Sequence, residues 1–525
     1  MSETSINHPS EESILTRIWQ FAPMFVLGFA ITTYILVFGF LTWNQHTNFG
    51  TFGFDMGIYD QGIWLLSRFE NPFITVRGLP YFGHHANFST LLFVPFYWLG
   101  AGPRFLYMAE TMALAAGAIP LWLLGRHLLK NAWVALLPAM AYLLYPSLQW
   151  INWWHFHPDA LIITPLLFAW WFARIEHWRP FVVAIILALL AKEDAAIAVA
   201  AMGVLIAIRA CIIGNEDPIE TGPASKQTSR LFQVASFARN NRSFIAGVYT
   251  TIAGIAWWLT CTKLIIPYMT GGTEPFYSHL FPGFGDTPLE VLKTIMTSPS
   301  SLIDAVSTPD HLTYYLKVFS PTAFLSLLSP TTLIAGPQLL VNSISAHSYT
   351  HDIRYHYNSI VIVGNFLGVV EAIAWIGRRW VVAKFILPMV VMISSVISNI
   401  YWSPSPFGDS YSSGIWVQPQ GKHQAIRAAL ELIPADAAVT TTFYLVPHLT
   451  HRKLVYEYPN PFRIANWGIA GENGGNPADV DYLVIDTRHT GSDKELYESL
   501  VSDAGPFQVI YSVDKIQIAQ RKHLN

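Results

Sequence analysis

Pro180-Phe-Val-Val-Ala-Ile-Ile-Leu-Ala-Leu-Leu-Ala-Lys192-Glu193-Asp194-Ala-Ala-Ile-Ala-Val-Ala-Ala-Met-Gly-Val-Leu-Ile-Ala-Ile208 is an apolar run broken near its middle by three consecutive charges. As one helix it would be ~43 Å long at about 1.5 Å per residue, against a hydrocarbon core of about 30 Å. Its charges would then stand mid-membrane, which is expensive. Read as two shorter helices joined at Lys192-Glu193-Asp194, the run puts those charges at a membrane face. The hairpin also sets the parity of everything after it. The polar loop Gly214–Arg242, with Lys226, Arg230, Arg239 and Arg242, then falls in the cytoplasm, as the positive-inside rule favours.

Composition agrees with a membrane chain. The 525 residues are 52% hydrophobic and 12% charged, about half the charged share of soluble domains. No basic patch with interleaved aromatics appears, so no nucleic-acid partner is expected; the bilayer is the partner. Cys211 and Cys261 lie in apolar runs at different depths, and no disulfide is expected.

Working outward, residues 1–18 read as a cytoplasmic tail and Trp19–Trp43 as an uncleaved first crossing. Residues 44–103 form a first outer loop, with Met56–Ser67 patterned as an interfacial helix and a short apolar run after His84 dipping into the interface. Arg104–Leu124, Ala132–Gln149 and Ala160–Ala173 read as crossings, and so does Ser243–Tyr268 beyond the 180–208 hairpin. A loop over 270–310 carries Glu274 and His279. His311–Leu328 and Thr331–Ser345 read as another pair of crossings, before Asn358–Ile376 and Trp380–Tyr401. The fold class is a polytopic α-helical membrane protein of about 11 transmembrane helices. Residues 19–402 are its membrane domain and the N-terminus is cytoplasmic. Arg17, Arg126, Lys130, Arg174, Arg179, Arg209, Arg378 and Arg379 fall inside. Residues 403–525 alternate helix and strand patterns, predicting a small extracytoplasmic α/β domain. Its Val446-Pro-His448-Leu-Thr-His451-Arg452 stretch is placed to face the membrane part.

This topology gathers Asp55, Asp60, His84, His85, His155, His157, Asp159, Lys192, Glu193, Asp194, Glu274, His279, His347, His351, Asp352, Arg354 and His356 on the outer side. The inner face has no comparable mixture of histidine and carboxylate. A polar ceiling over an apolar bundle suits an enzyme that meets one substrate in the bilayer and another in water. A transporter or a non-catalytic envelope-assembly protein could use the same layout.

The order Phe54-Asp55-x-Gly57-Ile58-x-Asp60-Gln61, His85-x-x-Phe88-Ser89, His155-Phe-His-Pro158-Asp159, Lys192-Glu-Asp194 and Tyr355-His356-Tyr357 resembles bacterial membrane proteins grouped as domain of unknown function 2079. Val446-Pro-His-Leu-Thr-His451 fits the same pattern. That family resembles the larger glycosyltransferase C (GT-C) superfamily of multi-span enzymes with a carboxylate in the first outer loop. The resemblance implies a membrane glycosyltransferase of the plasma membrane with a polyprenyl-phosphate sugar donor. Its acceptor would be an envelope glycan, lipid or protein. The outer loops of the membrane part carry no Asp-x-Asp signature, which leaves metal dependence open.

Such chemistry needs a carboxylate to take the acceptor's proton. Asp55 is the first candidate, with Asp60 and Glu193 behind it, although Asp55 also reads as an ordinary helix cap. The departing phosphate needs cations or donors, for which Arg354, Lys192 and His356 are placed. Arg354 suits phosphate oxygens but equally suits an interfacial anchor. His84, His85, His155 and His157 with Asp159 could hold substrate or a divalent metal, or simply be hydrogen-bonded loop residues. No cofactor is certain. Glu193 and Asp194 could bind acceptor or cap helices. Asp55, His85, His157, Glu193 and Arg354 are expected around one pocket.

Overall fold

The computed structural model describes residues 11–214, 241–272, 280–465 and 471–522. The expectations placed on Lys226, Arg230, Arg239, Glu274 and His279 lie outside those residues. The first helix runs over Glu11–Thr47 and the interfacial helix over Ile58–Ser67. Among the described residues, six helices are long and apolar enough to cross a membrane: Phe21–Thr47, Pro103–Leu129, Ala195–Ile212, Arg242–Met269, His356–Arg379 and Ala383–Trp402. A seventh candidate, Ala132–Leu143 with Pro146–Trp154, is bent by 43° where Pro146 removes a backbone donor. Ala160–Arg174 and Trp178–Ala191 are shorter apolar helices.

The charged break folds as a hairpin. Trp178–Ala191 stops at Lys192, and Ala195–Gly214 starts after Asp194. Trp257 Nε1 donates to Leu189 O at 2.9 Å near the turn, while Ser243 Oγ donates to Glu176 Oε1 at 2.8 Å at the far end. The Arg242–Thr260 helix therefore runs beside Trp178–Ala191 and antiparallel to Ala195–Gly214. It meets the latter backbone to backbone: a Cβ at Gly203 would lie 2.5 Å from Thr251 N and 2.6 Å from Gly247 O.

The expected pair of crossings over 311–345 is not there. Pro309–Phe319 is a helix, residues 320–335 are a chain of short tight turns, and Gly336–Ile344 is a second short helix. Pro321, Pro330 and Pro337 interrupt what hydropathy reads as continuous. Backbone freed in this way must find partners, because lipid offers none. Asn365 Nδ2 donates to Val318 O at 2.9 Å, Thr332 Oγ1 to Ser326 O at 2.5 Å and Ser395 Oγ to Pro321 O at 2.8 Å. Ala335 and Thr332 lie against Gly364 and Gly368 of the buried Ser359–Arg379 helix. The segment is a broken excursion pressed onto that helix.

The C-terminal residues form the expected α/β unit. After a two-residue hairpin in the first loop (β1 Phe73–Ile74, β2 Leu79–Pro80), the strands are β3 Val439–Thr441, β4 Val455–Glu457, β5 Tyr482–Asp486, β6 Phe507–Val513 and β7 Ile516–Arg521. Their order is β4-β3-β5-β7-β6, parallel through the first three and antiparallel thereafter. Helices Lys422–Glu431 and Lys494–Leu500 accompany the sheet. The apolar side chains that join this unit to the first outer loop, among them Met56, Ile63, Val446 and Val455, form one buried cluster. The Ile58–Ser67 helix is thus sandwiched rather than laid on the interface.

Candidate active site

The turn Gly53–Gly57 is held from above by the α/β unit. Gly53 N donates to Phe443 O at 2.8 Å. A Cβ at Gly53 would sit 2.7 Å from Val446 Cβ and 2.9 Å from Glu457 Oε2, so this approach needs glycine. From below, Trp154 Nε1 donates to Asp55 Oδ2 at 2.7 Å, and His157 Nε2 stands 3.1 Å from Asp55 Oδ1.

A row of ionisable groups runs on from there. His157 Nδ1 lies 3.3 Å from Tyr59 Oη and 3.5 Å from Asp159 Oδ2. Lys192 Nζ donates to Asp159 Oδ1 at 3.2 Å and lies 3.3 Å from Asp194 Oδ2. The His356 ring stacks on His157 at 3.6 Å and 18°. Beside Lys192, Glu193 reaches back to the first loop: His85 Nδ1 lies 2.7 Å from Oε1, and Ala86 N donates to Oε2 at 2.9 Å. The His84 ring packs tilted against His85, and His155 Nδ1 lies 2.8 Å from Tyr107 Oη. All of these residues except His84 and Asp194 are buried to nine-tenths or are close to it, the ionisable ones mostly at helix ends and in the short turns between helices and Tyr59 and Tyr107 within helices.

The row sorts proton affinities. Burial alone would raise Asp55, but the His157 charge outweighs it and holds Asp55 well below the usual carboxylate range. Burial pulls His157 down, and Asp55 and Asp159 more than restore it, so its net direction is up. Asp159 is likewise held low by Lys192 against the effect of burial. Burial pushes Asp194 up to about 6 despite Lys192.

The structure thus brings together Asp55, His157, Asp159, Lys192, Asp194 and His356, with Glu193 and His85 adjoining. It does not bring in Asp60 or Arg354. Asp60 is sealed: Tyr97 Oη donates to Oδ1 at 2.6 Å, Thr450 Oγ1 donates to Oδ2, and His451 Nε2 lies 3.2 Å from Oδ2. It fastens the 446–451 loop to the first-loop helix. The Arg354 guanidinium forks onto Asp352, at 2.9 Å and 2.6 Å to Oδ2, and its side chain is 54% exposed. It stands at the rim, where neighbouring Tyr355 packs its ring 4.6 Å from that of Trp154.

For a metal, His157, Asp159 and His356 offer donor atoms within 4.8 Å of one another, and His356 Nδ1 and Asp159 Oδ2 are buried without a hydrogen bond. Two histidines and a carboxylate are a set divalent metals take. Stacked rings, however, send their in-plane lone pairs along parallel lines, so one ring has to turn before both meet an ion. Lys192 already neutralises Asp159.

Two acids were not foreseen. Glu110, fully buried, accepts from His157 N at 3.2 Å; an acid inside an apolar crossing was the available signal. Glu457, at the end of β4, lies over the turn with no motif to mark it.

Among curated proteins no sequence matches. The oligosaccharyltransferase of Archaeoglobus fulgidus, in complex with Zn and sulfate, is 12% identical with a TM-score of 0.41, over 94% of this chain and 73% of that one. Its apo form gives 12% and 0.42, over 96% and 74%. ArnT from Cupriavidus metallidurans bound to undecaprenyl phosphate gives 13% and 0.49, over 94% and 97%. Likenesses this distant carry nothing about activity. The family model DUF2079, described as "Predicted membrane protein", matches residues 45–515, which is most of the sequence. The chain belongs to the DUF2079 family of membrane proteins.

Proposed function

We propose that this chain is a membrane glycosyltransferase that moves a sugar from a polyprenyl-phosphate donor to an envelope glycan, lipid or protein acceptor. The observation that carries the reading is the buried row Asp55–His157–Asp159–Lys192–Asp194, built at helix ends and roofed by the α/β unit. The donor class follows the family resemblance. Counting the bent pair, Ala160–Arg174 and Trp178–Ala191 with the six long helices, and keeping the third short apolar helix, Phe88–Tyr97, in the first outer loop, gives an odd number of crossings. The broken excursion removes two expected crossings together and leaves parity unchanged. The row and residues 403–525 then face outward, while Arg126, Lys130, Arg174, Arg378 and Arg379 face the cytoplasm.

In this reading the acceptor oxygen bonds to the anomeric carbon as the bond from that carbon to the phosphate oxygen breaks. The electron pair leaves with the polyprenyl phosphate. Asp55, kept ionised by His157, receives the acceptor hydroxyl's hydrogen bond and opposes the positive charge growing on the sugar. Lys192 and His356 stand where the phosphate would gather charge, with Arg354 at the entrance.

The test is turnover by the purified chain in lipid nanodiscs, offered undecaprenyl-phosphate hexoses and aminopentoses. Sugar transfer or release is expected, and Asp55→Asn should lower it ~10²–10⁴-fold with the chain still folded. A fully active Asp55→Asn variant overturns the site; no turnover of any donor by the wild type overturns the donor class.

A further inference from the structure

We propose that Glu457 is the group on which the acceptor's proton comes to rest, so that the α/β unit supplies the second catalytic carboxyl. This rests on the glycosyltransferase reading above and assigns the proton within it.

Position is the first argument. Glu457 is the last residue of β4, aligned with Thr441 in the parallel ladder, and its side chain leaves the sheet toward the first-loop turn. Its Oε2 comes within 2.9 Å of the Cβ position of Gly53, two residues before Asp55. Phe52 and Phe443 meet edge to face at 5.3 Å beside it, closing the seam on the apolar side.

The second argument is the company it keeps. Asp55, Asp159, Glu193 and Asp194 are each met by a histidine or a lysine. Among the described residues, no donor reaches the carboxyl oxygens of Glu457, and the charged group acting on it is another carboxylate, Asp55. A half-buried acid set against a like charge is a cost to the fold. Structural acids in such places are paired.

Proton affinity supports the assignment. Burial first, and Asp55 second, push Glu457 up to about 7. Asp55 is held low by His157, which suits charge stabilisation and not keeping a proton. Two carboxyls whose surroundings drive their affinities apart divide acid–base work between them. As the acceptor oxygen bonds to the anomeric carbon, its proton passes to the Glu457 carboxylate, and the electron pair of the breaking bond leaves with the phosphate. The proton is then lost to water.

The experiment uses the full chain in nanodiscs and single-turnover release of sugar from the undecaprenyl-phosphate panel, with water as acceptor. The wild-type rate should rise with pH to a plateau through a break near pH 7. Glu457→Gln should lower the plateau ~10²–10⁴-fold and erase the break, with the unfolding midpoint kept. Glu457→Asp should recover part of the rate and retain a break. Glu457→Gln at the wild-type rate with its break intact overturns the proposal. Should Asp55→Asn be dead while Glu457→Gln is fully active, only this proposal fails; an active Asp55→Asn overturns the site, and a wild type that turns over no donor overturns the function. An infrared titration needs no substrate: in an Asp194→Asn background, which removes the carboxyl titrating near 6, a protonated-carboxyl band lost near pH 7 should be present with Glu457 and absent from Glu457→Gln. Its persistence in that variant would also overturn the proposal.

Discussion

Asp55 and Asp60 sit on consecutive turns of one stretch, and the structure treats them in opposite ways. Asp55 keeps a side chain 16% exposed and is paired with His157, a group that can gain or lose charge. Asp60 is fully buried and is satisfied by the Tyr97 hydroxyl of its own loop and by the Thr450 hydroxyl and the edge of His451, the last two belonging to the 446–451 loop. The difference lies in what each carboxylate faces. One faces a seam between the membrane helices and the α/β unit; the other is the nail that holds the two together.

Substitutions can break this contrast. The largest effect expected is on rate: Asp55→Asn loses ~10²–10⁴-fold in sugar release while the chain stays folded, its unfolding midpoint moving less than that of Asp60→Ala. Asp60→Ala should do the reverse. It strands two buried hydroxyls, those of Tyr97 and Thr450, frees the His451 ring and costs about 3 kcal/mol of stability, read in a denaturation series on the nanodisc-held chain. A wild-type midpoint for Asp60→Ala would mean that the two carboxylates are not divided in this way. Trp154→Phe, which removes one hydrogen bond to Asp55, should cost roughly 10-fold in rate, as about 1.5 kcal/mol of a charge-assisted bond implies. An unchanged rate would show that Asp55 is positioned by His157 alone.

The smallest effect is a pH dependence. His157 has a raised affinity when folded, so its stabilising share is full below its unfolded value of about 6.5 and fades as pH rises through the raised one. Asp55 has a lowered affinity, so its share is present above about 3.9 and fades on acidification. The pair therefore contributes most between those values. The wild-type midpoint should fall relative to His157→Gln between pH 6 and pH 9; parallel curves would detach the pair from folding.

How much of this could be read from the sequence depended on the range of the interactions concerned. The elements of the α/β unit were visible because helix and strand patterns over 403–525 are local, each carried by its own short segment. The 180–208 hairpin was visible because three charges cannot stand in lipid. Residues 311–345 misled because hydropathy counts apolar length and ignores whether backbone groups find partners. Those partners, Asn365 and Ser395, come from other helices. In the site, Asp55, His157, Asp159 and Lys192 stood out as polar residues at helix ends. Which carboxylate pairs with which histidine is a tertiary fact, and so Asp60 and Arg354 looked as eligible as Asp55. Glu457 gave no signal because strand patterning explains its stretch completely.

The clamp between the reactive turn and β4 joins residues that are remote in sequence. Gly53 touches Val446 and Glu457, Gln61 Nε2 donates to Lys453 O at 3.2 Å, and Thr75 Oγ1 donates to Val455 O at 2.6 Å. Every one of those contacts waits for the final fifth of the chain. While the ribosome is still threading the helices into the bilayer, the turn that carries Asp55 has no seat, and Asp60 has neither Thr450 nor His451 to hold. On the glycosyltransferase reading the chain is therefore born idle, and the folding of its last segment is what arms it.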